Sequence, residues 1–161
     1  TIRFGILQSL FLLDNTYEHS SSSMWTSSIA AIDMINNKTD GINDDILPYT
    51  RILFSARDIR SDRGSTILKS VEMGKDAFQG KGVHLVLGTS TSGTSMAAMD
   101  ILKQEYISTP MIGITTSPSL SSDTAFPLFS RTVPHDAAQA SIMSVFLTDV
   151  VKTSCLSTIS S

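Results

Sequence analysis

Val83-His84-Leu85-Val86-Leu87-Gly88-Thr89-Ser90-Thr91-Ser92-Gly93-Thr94-Ser95 is the stretch that decides the fold. An apolar run ends at a glycine, passes into hydroxyl residues, and gives way to Met96, Met99, Leu102 and Tyr106 on one face of a predicted helix, about Gly93 to Tyr106. The order strand, serine loop, next element returns at Met111 to Ile114, which Pro110 opens and Thr115-Thr116-Ser117-Pro118-Ser119-Leu120-Ser121 follows. In an open parallel sheet both loops lie at the carboxyl ends of strands, where such folds bind small ligands. Hydroxyls there, beside the unpaired N–H groups of a helix's first turn, suit a carboxylate or another small anion.

Working outward, apolar runs and amphipathic stretches alternate along almost the whole chain, the pattern of repeated βα units around a parallel sheet. Ile2 to Leu7 reads as the first strand. A polar loop from Asp14 to Ser23 precedes a helix carrying Trp25, Ile29, Ile32 and Ile35, which Asn36-Asn37 and Gly41 end. Thr50 to Ala56 is a second strand, closed by the turn Arg57 to Asp62. A helix from about Ser65 to Phe78 is expected to bury Ile67, Val71 and Phe78, and Gly80 and Gly82 mark its exit. Leu128 to Val133 reads as extended, and Asp136 as the cap of a last helix with the stripe Ile142, Val145, Phe146 and Val150. The Ser/Thr-rich tail, 153–161, is expected to fray.

The length of 161 residues corresponds to about one domain, and 41% hydrophobic with 17% charged residues is the composition of a folded chain. The net charge is −3 and Lys and Arg form no run, so nucleic acid and anionic membrane are poor partners. Cys155 stands alone, which excludes an intrachain disulfide and a multi-cysteine zinc site within these residues; it reads as a buried inert thiol, or as one whose partner lies elsewhere. No stretch approaches the ~20 apolar residues that span a bilayer. The sequence starts at Thr1, so a signal peptide is expected to be already removed or outside it, and Ile2 to Leu13, interrupted by Arg3, Gly5, Gln8 and Ser9, is a buried strand entering a loop.

Catalysis finds little support. The order strand, loop, helix suits a nucleophile elbow, but Gly88-Thr89-Ser90-Thr91-Ser92 lacks the last glycine of GxSxG. His19, His84 and His135 are scattered; His84 falls within a predicted buried strand and His135 reads as a capping or solvated residue. No GxGxxG or GxxxxGK occurs, so no nucleotide or other cofactor is expected. Asp44-Asp45 and the pair Asp58 and Asp62 read as solvated turns, so no metal is expected either. Asn37-Lys38-Thr39 is a glycosylation sequon, a weak sign of an extracellular setting. The two serine loops remain, as helix caps and turns on the bland reading, or as a site for a small polar ligand on the functional one.

Three blocks carry a family resemblance: Leu87-Gly88 with its serine loop, Ile112-Gly113-Ile114-Thr115-Thr116-Ser117-Pro118-Ser119-Leu120-Ser121, and Phe126-Pro127-Leu128-Phe129-Ser130-Arg131-Thr132-Val133-Pro134-His135-Asp136. Together with Ala31 to Asn36 and Arg57 to Asp62, they resemble lobe 1 of the type I periplasmic-binding-protein, or Venus flytrap, superfamily. This group holds branched-chain amino-acid-binding proteins, natriuretic-peptide receptor ectodomains and the ligand-binding domains of class C G-protein-coupled receptors. The second and third blocks look most like GABA-B-type receptors, and the serine loop also like the calcium-sensing branch.

The resemblance implies an α/β lobe over residues 1–152, a parallel sheet of βα repeats belonging to an incomplete type I fold. It implies a non-enzymatic ligand-binding region of a cell-surface receptor, extracellular, that signals by cleft closure. A periplasmic solute-binding protein of amino-acid transport and a non-binding dimerisation lobe are the alternatives. It also implies an amino-acid-like ligand held at Ser92, Gly93, Thr94, Thr115 and Ser117, with Ser92 on the carboxylate; the further partners are a second lobe of the same full-length chain and a receptor dimer mate. Met24 stands where acidic-amino-acid receptors carry an arginine, which disfavours a second carboxylate on the ligand, and Trp25 reads as core. From Val151 to Cys155 the sequence departs from the pattern, and the opposing half of the cleft is expected to lie outside these residues.

Overall fold

The computed structural model describes residues 1–41, 44–78 and 81–151. Five strands form one sheet: β1 (Ile2–Gln8), β2 (Ile52–Asp58), β3 (Leu85–Gly88), β4 (Met111–Gly113) and β5 (Phe129–Arg131). Their spatial order is β2-β1-β3-β4-β5 and every pairing is parallel. Four helices connect or follow them: α1 (His19–Asn36), α2 (Arg63–Phe78), α3 (Ser92–Leu102) and α4 (Asp136–Val145). The α/β architecture with a parallel sheet is therefore the one the sequence predicts.

Side chains alternate across the sheet, so each strand feeds two cores. Ile6 and Ile52 pack with Ile32 of α1, joined by Phe4, Trp25, Ile29, Ile35 and Ala56. On the opposite face Leu7, Val86 and Met111 meet Met73 of α2 and Ala98, Met99 and Leu102 of α3. Trp25 is partly buried and packs against this core, on the side its spacing predicts. After β1 the chain moves to one side of it, to β2, and then returns to the other side, to β3. The ends of β1 and β3 thus flank the topological switch point, where open α/β sheets leave a crevice.

Several local expectations need correction. The serines 20–23 are not loop but the first turns of α1, because Glu18 caps the helix by accepting from the Ser20 N–H, and Ser21 and Ser22 are buried. Ile67 is exposed; the inward positions of α2 are Thr66, Ser70, Met73 and Gly74, which lie on one helix face with Ile67 off it. The Phe78 side chain lies outside the described residues. His84 precedes β3, exposed, and its Nδ1 accepts from the Arg3 N–H. Tyr106 lies beyond the end of α3 and is exposed. His135, not Asp136, caps α4, its Nδ1 accepting from the Ala138 N–H at 3.2 Å. Ile142, Val145 and Phe146 of the last apolar stripe are exposed, and α4 buries none of its residues. Cys155 and the tail 153–161 lie outside the described residues.

Candidate functional site

Gly88 ends β3 with φ of +127°, and a Cβ there would run into the Leu7 carbonyl, so only glycine lets the chain leave the strand at this angle beside β1. Three residues later Thr91 is the N-cap of α3, in extended conformation, its Oγ1 accepting from the Thr94 N–H. Between them the hydroxyls form a chain. Thr94 Oγ1 donates to Thr89 Oγ1 at 2.7 Å, Thr89 and Ser95 share a hydrogen bond of 2.9 Å, and Thr115 Oγ1 donates to Ser95 Oγ at 3.2 Å. The chain is buried and runs from the loop after β3 to the loop after β4, so the two loops are one structural unit. Ser90 is tied to α1, accepting from Ser21 Oγ.

The second loop is held from the far side by Arg131 of β5. Its Nη1 donates to the carbonyls of Thr115 and Ser117 at 3.1 and 3.0 Å, and its Nη2 donates to Ser121 Oγ. The guanidinium lies 5.5 Å from the Phe129 ring centre, which restricts it further. Ser117 caps the short 3-10 turn Pro118–Ser121 by accepting from the Ser119 N–H.

The five candidate residues fall into two groups. Ser92 is half-buried and Gly93 exposed at the start of α3, where the Ser92 hydroxyl and the N–H groups of both residues have no partner among the described residues. A Cβ on Gly93 would meet only open space. Thr94 and Thr115, by contrast, spend their hydroxyls on the internal chain, and the Thr115 carbonyl on Arg131. Ser117 keeps a hydroxyl proton to donate while its oxygen accepts from Ser119. The helix start offers an anion N–H groups and a partial positive charge without any formal cation.

Beside these loops a cavity of about 230 Å³ opens along the carboxyl edge of the sheet. Leu87, Ile112 and Ile114 give it an apolar wall, Met24, Ser27 and Ser28 come from α1, and Gln8 stands at the end of β1. The sequence reading passes over Gln8 and gives Arg131 no role. Among the described residues no group of His, Cys, Asp and Glu could hold a metal ion, and no helix is long and apolar enough to cross a membrane.

The family profile of the receptor family ligand-binding region matches residues 26–150, most of the chain. The chain belongs to this family. No curated protein matches the sequence of this ligand-binding-region chain. Among solved structures it is similar to the branched-chain amino acid transporter substrate-binding protein LivJ from Streptococcus pneumoniae in complex with isoleucine, with a TM-score of 0.68 and 19% identity. The superposition covers 94% of this chain and 39% of LivJ, so the ligand-binding-region chain spans well under half of that protein. The likeness is one of fold: a type I periplasmic-binding-protein lobe.

Proposed function

We propose that residues 1–152 act as lobe 1 of an extracellular receptor ectodomain, binding a small amino-acid-like ligand whose occupancy closes the cleft against a second lobe and so signals. The observation that carries the reading is the open start of α3, where the Ser92 hydroxyl and the Ser92 and Gly93 N–H groups lie at the carboxyl edge of the sheet without partners among the described residues. The ligand's carboxylate sits there, and Ser117 Oγ, through its second lone pair and with the main chain near Thr115, accepts from its amine. Thr94 supports the loop by holding Thr89 in place. The exposed apolar side chains Ile142 and Val145 of α4, with Phe146 and Leu147 directly after it, support a following lobe that covers them. A dimer mate belongs to the same reading.

Closure follows from differential affinity: a ligand that touches both lobes when closed and one when open shifts the equilibrium towards the closed state. One lobe keeps about half of the contacts, so this chain alone binds with a dissociation constant of about 1 mM or weaker. A titration of the ¹⁵N-labelled chain with a panel of amino acids, followed at the Ser92 and Gly93 amides, tests this. In a protein that carries both lobes, Ser92→Ala is expected to lose about 1.5–3 kcal/mol of binding, because the hydrogen bond goes to a charged group. Undiminished affinity in that variant removes Ser92 from the site. A second reading, a periplasmic solute-binding protein of amino-acid transport, is favoured by the fold of LivJ, a transporter's binding protein solved with isoleucine. A panel without any binder points instead to a dimerisation lobe.

A further inference from the structure

Asn37 is exposed and ends α1 as its C-cap, its N–H still donating to the Asp33 carbonyl at 2.9 Å. Its side chain folds onto the residues that follow in and after the sequon Asn37-Lys38-Thr39. Oδ1 accepts from the Thr39 hydroxyl at 3.0 Å and from the Thr39 N–H at 3.3 Å, while Nδ2 donates to Asp40 Oδ2 at 2.8 Å. The second N–H of the amide has no partner among the described residues. One residue earlier, Asn36 holds the first residue of β2, its Oδ1 accepting from the Ile52 N–H and its Nδ2 donating to the Ile52 carbonyl. Asn37 therefore stands at the amino edge of the sheet, the opposite end from the loops that carry Ser92 and Ser117.

Beside it runs Ile46-Leu47-Pro48-Tyr49, apolar at every position and exposed throughout, with Tyr49 at 100% exposure. Lys38, the middle residue of the sequon, ties this segment to the end of α1 by donating from Nζ to the Ile46 carbonyl at 2.6 Å. Pro48 and Tyr49 line one surface groove together with Asn37. An exposed run of consecutive apolar residues is a liability unless something covers it.

We propose that Asn37 carries an N-linked glycan in the intact protein and that its first sugars lie over residues 46–49. This rests on the extracellular reading above. The donor is a lipid-linked oligosaccharide diphosphate. Asn37 Nδ2 bonds to the anomeric carbon of its first sugar, the bond from that carbon to the diphosphate oxygen breaks, and the diphosphate leaves with the electron pair. Nδ2 gives one proton to a base of the transferase, and nothing is oxidised or reduced. The local structure admits the product without loss: a glycosylated amide keeps one N–H, enough for the Asp40 bond, and its oxygen still accepts from Thr39. Lys38 meets the requirement that the middle residue not be proline. The attached sugar is bulky and hydrated, and its anchor lines the same groove as Tyr49, so it covers the apolar run while leaving the carboxyl edge open. It also bars a second lobe or a dimer mate from this end of the sheet.

The test captures the native protein, with an antibody to this chain, from cells treated with a membrane-impermeant biotin reagent. Peptide mass spectrometry after amidase removal of N-glycans in heavy-oxygen water is expected to find Asn37 converted to labelled aspartate, in protein that also carries surface biotin. Thr39→Ser, which keeps the hydroxyl, is expected to keep the glycan, and Thr39→Ala to lose it. Hydroxyl-radical footprinting of the folded protein is expected to label Tyr49 weakly with the glycan present and strongly once it is removed. Biotinylated protein with unmodified Asn37 overturns the site and leaves the extracellular reading intact. Protein with neither biotin nor glycan overturns both. Tyr49 labelled strongly in the glycosylated protein, or weakly both before and after removal, overturns the covering role, the second result showing that a protein surface lies there instead.

Discussion

Arg131 holds Ser117 by its main chain, the guanidinium Nη1 donating to the Ser117 carbonyl at 3.0 Å while the serine side chain stays available at the cleft edge. A cation is here used as scaffold and not as a ligand contact. The same nitrogen reaches the Thr115 carbonyl, and Nη2 reaches Ser121, so one planar group fixes three points of the loop after β4.

Arg131→Met should therefore loosen residues 115–121 without removing any proposed ligand contact. Hydrogen bonds from a charged donor are worth about 1.5–3 kcal/mol, and urea denaturation should show a loss of that order. Arg131→Lys should recover only a fraction, since an ammonium cannot span the three acceptors. Equal stability of the lysine variant and wild type would contradict the fork geometry.

Ser95 is the junction of the buried hydroxyl chain, with Thr89 on one side and Thr115 on the other. Ser95→Ala leaves the Thr115 hydroxyl without its acceptor, and an unsatisfied buried group costs about 1–3 kcal/mol. Thr115→Val in the same background should restore part of that loss, because the stranded hydroxyl is then gone. Purely additive losses in a double-mutant cycle would show that the two loops are not coupled.

Much of this was legible in the sequence, and the failures have physical causes. The βα alternation and the loops at strand ends could be read because a parallel sheet covered on both faces demands apolar runs, and β3 and β4 begin and end close to where those runs do. The start of α1 could not, because Ser20 to Ser23 show no apolar period and the helix there depends on Glu18 as a cap. Ile67 misled because three apolar residues at helical spacing outweighed Thr66 and Ser70, which turn out to face inward. Arg131 carries no local pattern at all. Its role arises only when β5 pairs with β4, a long-range fact that spacing does not encode.

Acid should loosen the starts of α1 and α2. The Ser20 hydroxyl and N–H hold the Glu18 carboxyl below its usual range, and the Ser65 N–H does the same for Asp62. A group with a depressed native pKa contributes stability that is complete above its unfolded value and is lost as pH falls through the native one. Carboxyl titration by NMR should place both midpoints below those of unstructured peptides, with the Ser20 and Ser65 amides moving in step. Midpoints at or above the peptide values would refute the capping roles.

Gly93 and Gly88 separate what glycine does for the fold from what it does for the site. At Gly88 the positive φ and the Leu7 carbonyl leave no room for a side chain, so Gly88→Ala should cost more than about 3 kcal/mol or prevent folding. At Gly93 nothing stands near a Cβ, and the residue lies in the first turn of α3, where alanine is the better helix former. Gly93→Ala should therefore raise stability by about 0.5–1 kcal/mol in thermal unfolding. If a ligand's carboxylate approaches the Ser92 and Gly93 N–H groups, the added methyl stands in its way and binding should weaken at least tenfold. A variant that is both more stable and a better binder would place the ligand elsewhere.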